Sequence, residues 1–499
     1  MSRRRPNIYS DLIFWLFLGL VLFLFLSLDW FVSDSIRAAR IDRYILYNVD
    51  EVLRFGHLKA SFIDPLAVIS PDSKPLFMFI SRIFLLIPWG MVSVRMMNSL
   101  FSIGVIYFLY KTIKKSEGDN IIAMVAALIT LFSPLFFLGS ISLLTEPVFC
   151  FFLIVSIYLY YEEKYFFSAL LISLLPMIRP EGILYILVWV PFLVFKSKIS
   201  YLSLLVVPSL IWSLLVRMIL KLPLISIFLY VNRGFDSPPP HDSLMSFSAI
   251  GYYFSLYFLP IFLLFAAGLI MKAADRRYWL LISCLLVQFL LVVANNITLF
   301  VLTKSLCNQL RFLIPVIPIF AFFAAFAFVR ILRYLLKKMR DIPLLVISIA
   351  VFATLFSFQM KDLQSFPGGK DENTMSFSEE MSLREVNFWL KGWLKENDIK
   401  NVYFEGGQDF TGRILRRVYI NLPVGLRSLV VIDRKRLFNP STFEVFTGTT
   451  IDGVFVSSGE ASNTTDLSGC KLLRSYPDIQ LYFFRINDGV KQVRLDRVT

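Results

Sequence analysis

Between Asp11 and Phe358 the chain alternates long apolar blocks with short polar turns. The blocks run 11–30, 94–110, 120–138, 143–161, 166–178, 182–195, 201–220, 251–271, 279–294, 312–329 and 343–358. Most approach the roughly 20 residues that carry an α-helix across a hydrocarbon core. The pattern predicts a mainly α, polytopic transmembrane fold with about eleven spans. Another apolar piece, Leu76–Met91, is interrupted by Arg82, Pro88 and Gly90 and reads as a re-entrant or interfacial segment.

Charge orients these spans. Arg3 to Arg5 precede the first block, and Lys or Arg return at alternate turns: Lys111, Lys114 and Lys115, then Lys196 and Lys198, Lys272 with Arg276 and Arg277, and Arg330 to Arg340. Cytoplasmic ends attract such residues, so the N-terminus is expected in the cytoplasm and the C-terminal region outside the cell membrane. The basic head resembles a signal peptide, but the apolar block is too long and no small-residue cleavage site follows, which predicts an uncleaved first helix. Two groups break the pattern: Arg37, Arg40, Arg43, Arg54 and Lys59 in the first outer loop, and Arg217 with Lys221 at an outward end. Either the topology differs there or those cations meet something anionic outside.

Beyond Lys361 the periodicity changes. Phe366-Pro367-Gly368-Gly369 reads as a linker, Val386, Leu390 and Leu394 have helical spacing, and β-rich runs follow at 401–406, 428–433, 453–458 and 480–486. The expected division is a transmembrane domain over 1–360 with an outer loop at 31–76, a linker over 361–378, and a small extracytoplasmic α/β domain over 379–499. Glycine-rich nucleotide loops, internal repeats and low-complexity segments are absent from the sequence.

Composition excludes several classes. The 499 residues are 57% hydrophobic with a mean hydropathy of +0.67, more than a soluble core can hide. A net charge of +14 invites a nucleic-acid reading, but the Lys and Arg sit in short turns, where membrane orientation explains them, and no nucleic-acid partner is expected. Cys150, Cys284, Cys307 and Cys470 have no CxxC spacing, which argues against a disulfide framework or zinc site.

The topology gathers unusual polar residues on the outer face. Asp42, Tyr44, Asp50, Glu51 and His57 lie in the first outer loop, Thr145-Glu146-Pro147 and Arg179-Pro180-Glu181-Gly182 at outer turns, His241 in a second outer loop, and Arg311 before a late span. Ionisable groups at membrane depth are costly, so their convergence marks a candidate site. Asp42 is either a general base or a helix cap in a solvated loop. Glu146 either answers the helix dipole behind a Thr145 cap or acts as a second carboxylate. Arg179 either staples to Glu181 or grips a phosphate, and Arg311 is an interfacial anchor or a second phosphate clamp. His57 and His241 read as surface residues. The sequons at Asn296 and Asn463 are weak signals.

Taken in order, these motifs resemble the GT-C superfamily of polyprenyl-phosphate-sugar-dependent membrane glycosyltransferases, including protein mannosyltransferase-, aminoarabinose transferase- and arabinofuranosyltransferase-like enzymes. The resemblance rests on Asp42-Arg43-Tyr44-Ile45-Leu46-Tyr47 with Gly56-His57, Lys74-Pro75-Leu76, Arg95 to Asn98, Thr145-Glu146-Pro147, residues 179–182 and Arg311 to Pro318, over about residues 10–335. It implies an inverting transfer of a sugar from a polyprenyl-phosphate donor to a hydroxyl of a glycan, lipid or protein acceptor at the outer face of the cytoplasmic membrane. Asp42 would be the base. Arg179, Arg311 and Lys74 would hold the donor phosphate, and Glu146, Glu181, Tyr44, Asp50, Glu51 and His57 the acceptor or sugar. Some members carry a second acid where this chain has Ile41, which makes Asp50 or Glu51 the candidate second carboxylate and a metal or other cofactor less expected. The rival classes are a transporter or flippase of a lipid-linked glycan and a scaffold for cell-surface polymer assembly.

Overall fold

The computed structural model describes residues 8–31, 74–87, 91–220, 259–303, 310–336 and 341–365. It also describes Leu58, Trp393 and Glu396, and strands at 401–405, 427–431, 450–458, 471–476 and 479–487. The helices are α1 (Ile8–Phe31), α2 (Pro75–Leu85), α3 (Met91–Glu117), α4 (Asn120–Leu131), α5 (Pro134–Ser140), α6 (Glu146–Tyr161) and α7 (Tyr165–Ser173). After them come α8 (Gly182–Phe195), α9 (Leu202–Leu220), α10 (Leu259–Ala273), α11 (Trp279–Thr303), α12 (Ile317–Leu335) and α13 (Asp341–Ser365).

Among the described residues, four stretches are long and apolar enough to cross a membrane: 11–28, 92–117, 199–218 and 312–335. The expected block 120–138 is not one straight helix. It breaks into α4 and α5 at a bend of 71°, with Ser133 extended before Pro134, which starts α5 at its first turn. Shorter apolar helices of 10–17 residues occupy most of the remaining expected crossings, and Pro75–Leu85 fills the expected interfacial piece. Helix α8 spans the predicted residues 182–195. The chain is a multi-pass membrane protein: Leu16, Leu20 and Phe23 on α1, and Val206, Ile211 and Met218 on α9, expose large apolar side chains that water would not tolerate but lipid does.

In the core, α3 packs against α1, α4 and α6, while α12 lies between α4 and α10. Ala321, Ala324, Ala325 and Ala327 are fully buried on α12. A methyl group added at Gly268 would stand 1.9 Å from the Phe323 carbonyl oxygen, so glycine is what lets α10 and α12 touch backbone to backbone.

The end of the bundle that holds the start of α1 is tied by ion pairs. Asp11 accepts from Lys114 (2.6 Å) and Tyr110 (3.0 Å), Lys115 pairs with Glu162 (3.1 Å), and Asp119 pairs with Arg333. Lys272 pairs with Glu117 at 2.6 Å, lies 4.0 Å from the centre of the Phe326 ring and donates to Tyr278. Buried cations here have a carboxylate or an aromatic face beside them, as a low-dielectric site requires.

Past the helices, β1 (Asn401–Glu405), β2 (Arg427–Val431), β3 (Thr450–Ser458), β4 (Lys471–Tyr476) and β5 (Ile479–Asn487) form one sheet in the order β2-β1-β3-β5-β4. Strand β1 is parallel to both β2 and β3, and β5 is antiparallel to β3 and β4. Strand β4, KLLRSY, was not expected; it lacks β-branched residues and is recruited by antiparallel pairing with β5. Trp393, ahead of the sheet, packs against the helical core.

Candidate active site

At the other end of the bundle the chain turns between α7 and α8 through a 3-10 segment, Leu175–Met177, and then Arg179-Pro180-Glu181. The Arg179 amide donates to the Leu175 carbonyl and the Gly182 amide to the Arg179 carbonyl, both at 2.9 Å. A methyl group on Gly182 would lie 2.4 Å from the Leu175 carbonyl carbon and the Pro176 nitrogen. Only glycine lets α8 start this close to the preceding turn. The result pins Arg179 and Glu181 on one tight corner.

Arg179 is 5% exposed and Glu146, the first residue of α6, is fully buried. Arg179 Nε donates to Glu181 Oε1 at 2.6 Å, and its Nη2 pairs with the same oxygen. Its Nη1 pairs with Glu146 and donates to Thr145 Oγ1 at 3.3 Å, while Thr145 Oγ1 donates to Glu146 Oε2 at 3.3 Å. The Phe312 ring covers the guanidinium at 4.8 Å. Burial alone lowers the Arg179 pKa, but the charges of Glu146 and Glu181 outweigh it and hold the group above its ordinary value. One guanidinium against two carboxylates leaves one net negative charge, and the Glu181 side chain, at 15% exposure, is the accessible edge.

The turn before α6 is held from α3. Asn98, fully buried, donates through Nδ2 to the carbonyls of Ser142 (2.6 Å) and Leu144 (2.7 Å), and Ser99 donates to Ser140 (3.2 Å). These bonds satisfy irregular backbone beside the membrane-spanning helices, where it is tolerated only inside protein. They also explain why α6 begins at Glu146 rather than at Leu143. Thr145 makes no capping bond to the helix; its hydroxyl serves Arg179 and Glu146 instead.

Of the residues singled out from sequence, Glu146, Arg179 and Glu181 meet in this cluster. Lys74 stands at the start of α2, with its carbonyl accepting from the Met78 amide at 2.8 Å, and α2 touches the Leu175–Met177 turn. Arg311 belongs to a 3-10 segment, Leu310–Val316, one residue before Phe312. Asp42, Tyr44, Asp50, Glu51, His57 and His241 lie outside the described residues; Leu58, next to His57, is buried in the helical core. Among the described residues no three His, Cys, Asp or Glu side chains gather where a metal ion would sit. Asn98 and Phe312 were given no site role, although each lies in a motif that carried the resemblance, Arg95 to Asn98 and Arg311 to Pro318.

Two solved structures share this architecture. ArnT from Cupriavidus metallidurans bound to undecaprenyl phosphate superposes with a TM-score of 0.58 at 13% identity, covering 93% of this chain and 98% of that one. The same protein in the apo state gives 0.60 at 12% identity, covering 95% and 98%. Neither a protein-family model nor a curated protein sequence matches the chain. The likeness spans nearly the whole of both chains and establishes the fold as that of ArnT.

Proposed function

We propose that the chain is an inverting glycosyltransferase of the GT-C type, moving a sugar from a polyprenyl-phosphate donor to an acceptor hydroxyl at the outer face of the membrane. The observation that carries this reading is the buried Arg179–Glu146–Glu181 cluster at one end of a bundle with the fold of ArnT. ArnT binds undecaprenyl phosphate, and a donor of that chemistry suits a protein embedded in lipid.

In this mechanism Asp42 takes the proton from the acceptor hydroxyl. The freed oxygen attacks the anomeric carbon from the face opposite the phosphate, and polyprenyl phosphate leaves. Arg311 and Lys74 neutralise the charge that grows on the phosphate. The nitrogens of Arg179 are engaged by Glu146, Glu181 and Thr145, so its role is to hold both carboxyl groups in place. The accessible edge of Glu181 then accepts hydrogen bonds from sugar hydroxyls. The region after residue 378 lies outside the membrane on the same side.

Purified protein in detergent, given a labelled polyprenyl-phosphate sugar and candidate acceptors, tests the reading. Transfer without a sealed bilayer supports an enzyme. Binding of the lipid with no transfer to any acceptor, and movement of a lipid-linked glycan once reconstituted, would instead identify a transporter.

A further inference from the structure

The segment that brings Phe312 to Arg179 contains Pro315, and Pro318 follows in the first turn of α12. Proline has no N–H, so in a 3-10 geometry Pro315 cannot bond the Phe312 carbonyl, and Pro318 cannot bond the Pro315 carbonyl. Both carbonyls are met by side chains of other helices. Gln288, 1% exposed in the apolar α11, donates through Nε2 to the Phe312 carbonyl. Cys150, fully buried on α6, donates through Sγ to the Pro315 carbonyl at 3.5 Å. Tyr185, fully buried one turn into α8, fixes the Gln288 amide by donating to its Oε1 at 2.6 Å.

We infer that Gln288, backed by Tyr185, is a positioning residue that locks the Leu310–Val316 segment so that Phe312 covers Arg179 and Arg311 is carried beside it. The inference rests on the proposed transfer reaction for its kinetic consequence only. A glutamine amide fits because, without charge, it accepts from a hydroxyl through its oxygen and donates to a carbonyl through its nitrogen. Its cost within an apolar helix is offset by having both partners in place. The helices tied together are those that carry the site: α6 begins at Glu146 and α8 follows Glu181. Titratable groups close to Tyr185 are Cys284 on the same helix as Gln288, Cys150, Glu181 and Arg179.

Three variants of the full-length protein test this. Gln288→Leu removes both bonds and is expected to raise the KM for polyprenyl-phosphate sugar about tenfold with the acceptor KM within twofold. Gln288→Glu, while protonated, keeps a hydroxyl for Phe312 and a carbonyl for Tyr185. Once ionised it has no donor, so its activity relative to wild type is expected to fall about tenfold as pH rises through the carboxyl pKa. Tyr185→Phe is expected to give a smaller loss in the same direction. Hydrogen exchange supplies a readout independent of transfer: the amides of 310–314 exchange faster in Gln288→Leu while those of α3 and α12 do not. A pH-independent ratio for Gln288→Glu, or unchanged exchange at 310–314, overturns the inference. Absence of transfer in wild type with altered exchange in Gln288→Leu refutes the reaction and leaves the positioning intact.

Discussion

Arg179, in the turn before α8, forms a buried ion pair with Glu146, the first residue of α6, and so joins two helices at the candidate site. Removing the cation leaves two carboxylates facing each other in a low dielectric. Arg179→Leu is expected to destabilise the protein by about 3–5 kcal/mol. Adding Glu146→Leu should recover part of this loss, because the uncompensated charge goes with it. Thermal unfolding in detergent of the two singles and the double measures the coupling.

Asn98 offers a sharper contrast. Its Nδ2 serves two carbonyl acceptors, Ser142 and Leu144. Asn98→Asp replaces that donor with an acceptor, and is expected to cost more stability than Asn98→Leu, although it is the smaller change in shape. The loss for Asn98→Leu is expected at roughly 1–3 kcal/mol. Comparative melting of both variants decides it.

The apolar blocks and the start of α8 were legible because each depends on local pattern; the helix Asp341–Ser365 runs through Lys361, where the change of pattern was read. The bend at Pro134 was visible only as a proline; its 71° angle is not set by local pattern, and α5 touches the distant Leu310–Val316 segment. The staple of Arg179 to Glu181 was an open alternative from sequence, being two residues apart. Glu146 was expected on the same outer face, but its ion pair with Arg179 was not legible, because it requires α6 and the α7–α8 turn to meet at one end of the bundle. Gln288 escaped notice for the same reason: its partners, Tyr185 and Phe312, come from two other segments.

Gly182 has backbone atoms against the place a methyl would occupy. Gly182→Ala therefore forces the Leu175–Met177 turn away and moves Arg179 and Glu181 with it. A displacement of about 1 Å at such a site can cost on the order of 100-fold in rate. The expected result is a large fall in kcat with expression retained, measured beside Gly268→Ala, which clashes with Phe323 far from the cluster and is expected to lower yield instead.

Asp119 accepts from the Ile121 and Ile122 amides and pairs with Arg333 at the opposite end. Burial pushes its pKa up, but the Arg333 bond and charge and the two amides push it down further, so the net shift is downward. A folded pKa below the unfolded value of about 3.9 means that this stabilisation is present above roughly pH 4 and is lost as pH falls through the folded pKa. Asp119→Asn is expected to melt at a lower temperature than wild type at pH 7, with the gap closing below about pH 4. Melting curves over pH 3–7 check the sign.

We propose Asp42 as the base of a sugar transfer whose donor is held at the Arg179 end of the bundle. Transfer of labelled sugar from a polyprenyl phosphate by wild-type and Asp42→Asn protein in detergent, beside the thermal stabilisation of each by undecaprenyl phosphate, tests it most directly. The expected result is a loss of about 100-fold or more in transfer, with lipid stabilisation unchanged. Full transfer by Asp42→Asn would show that Asp42 is not the base.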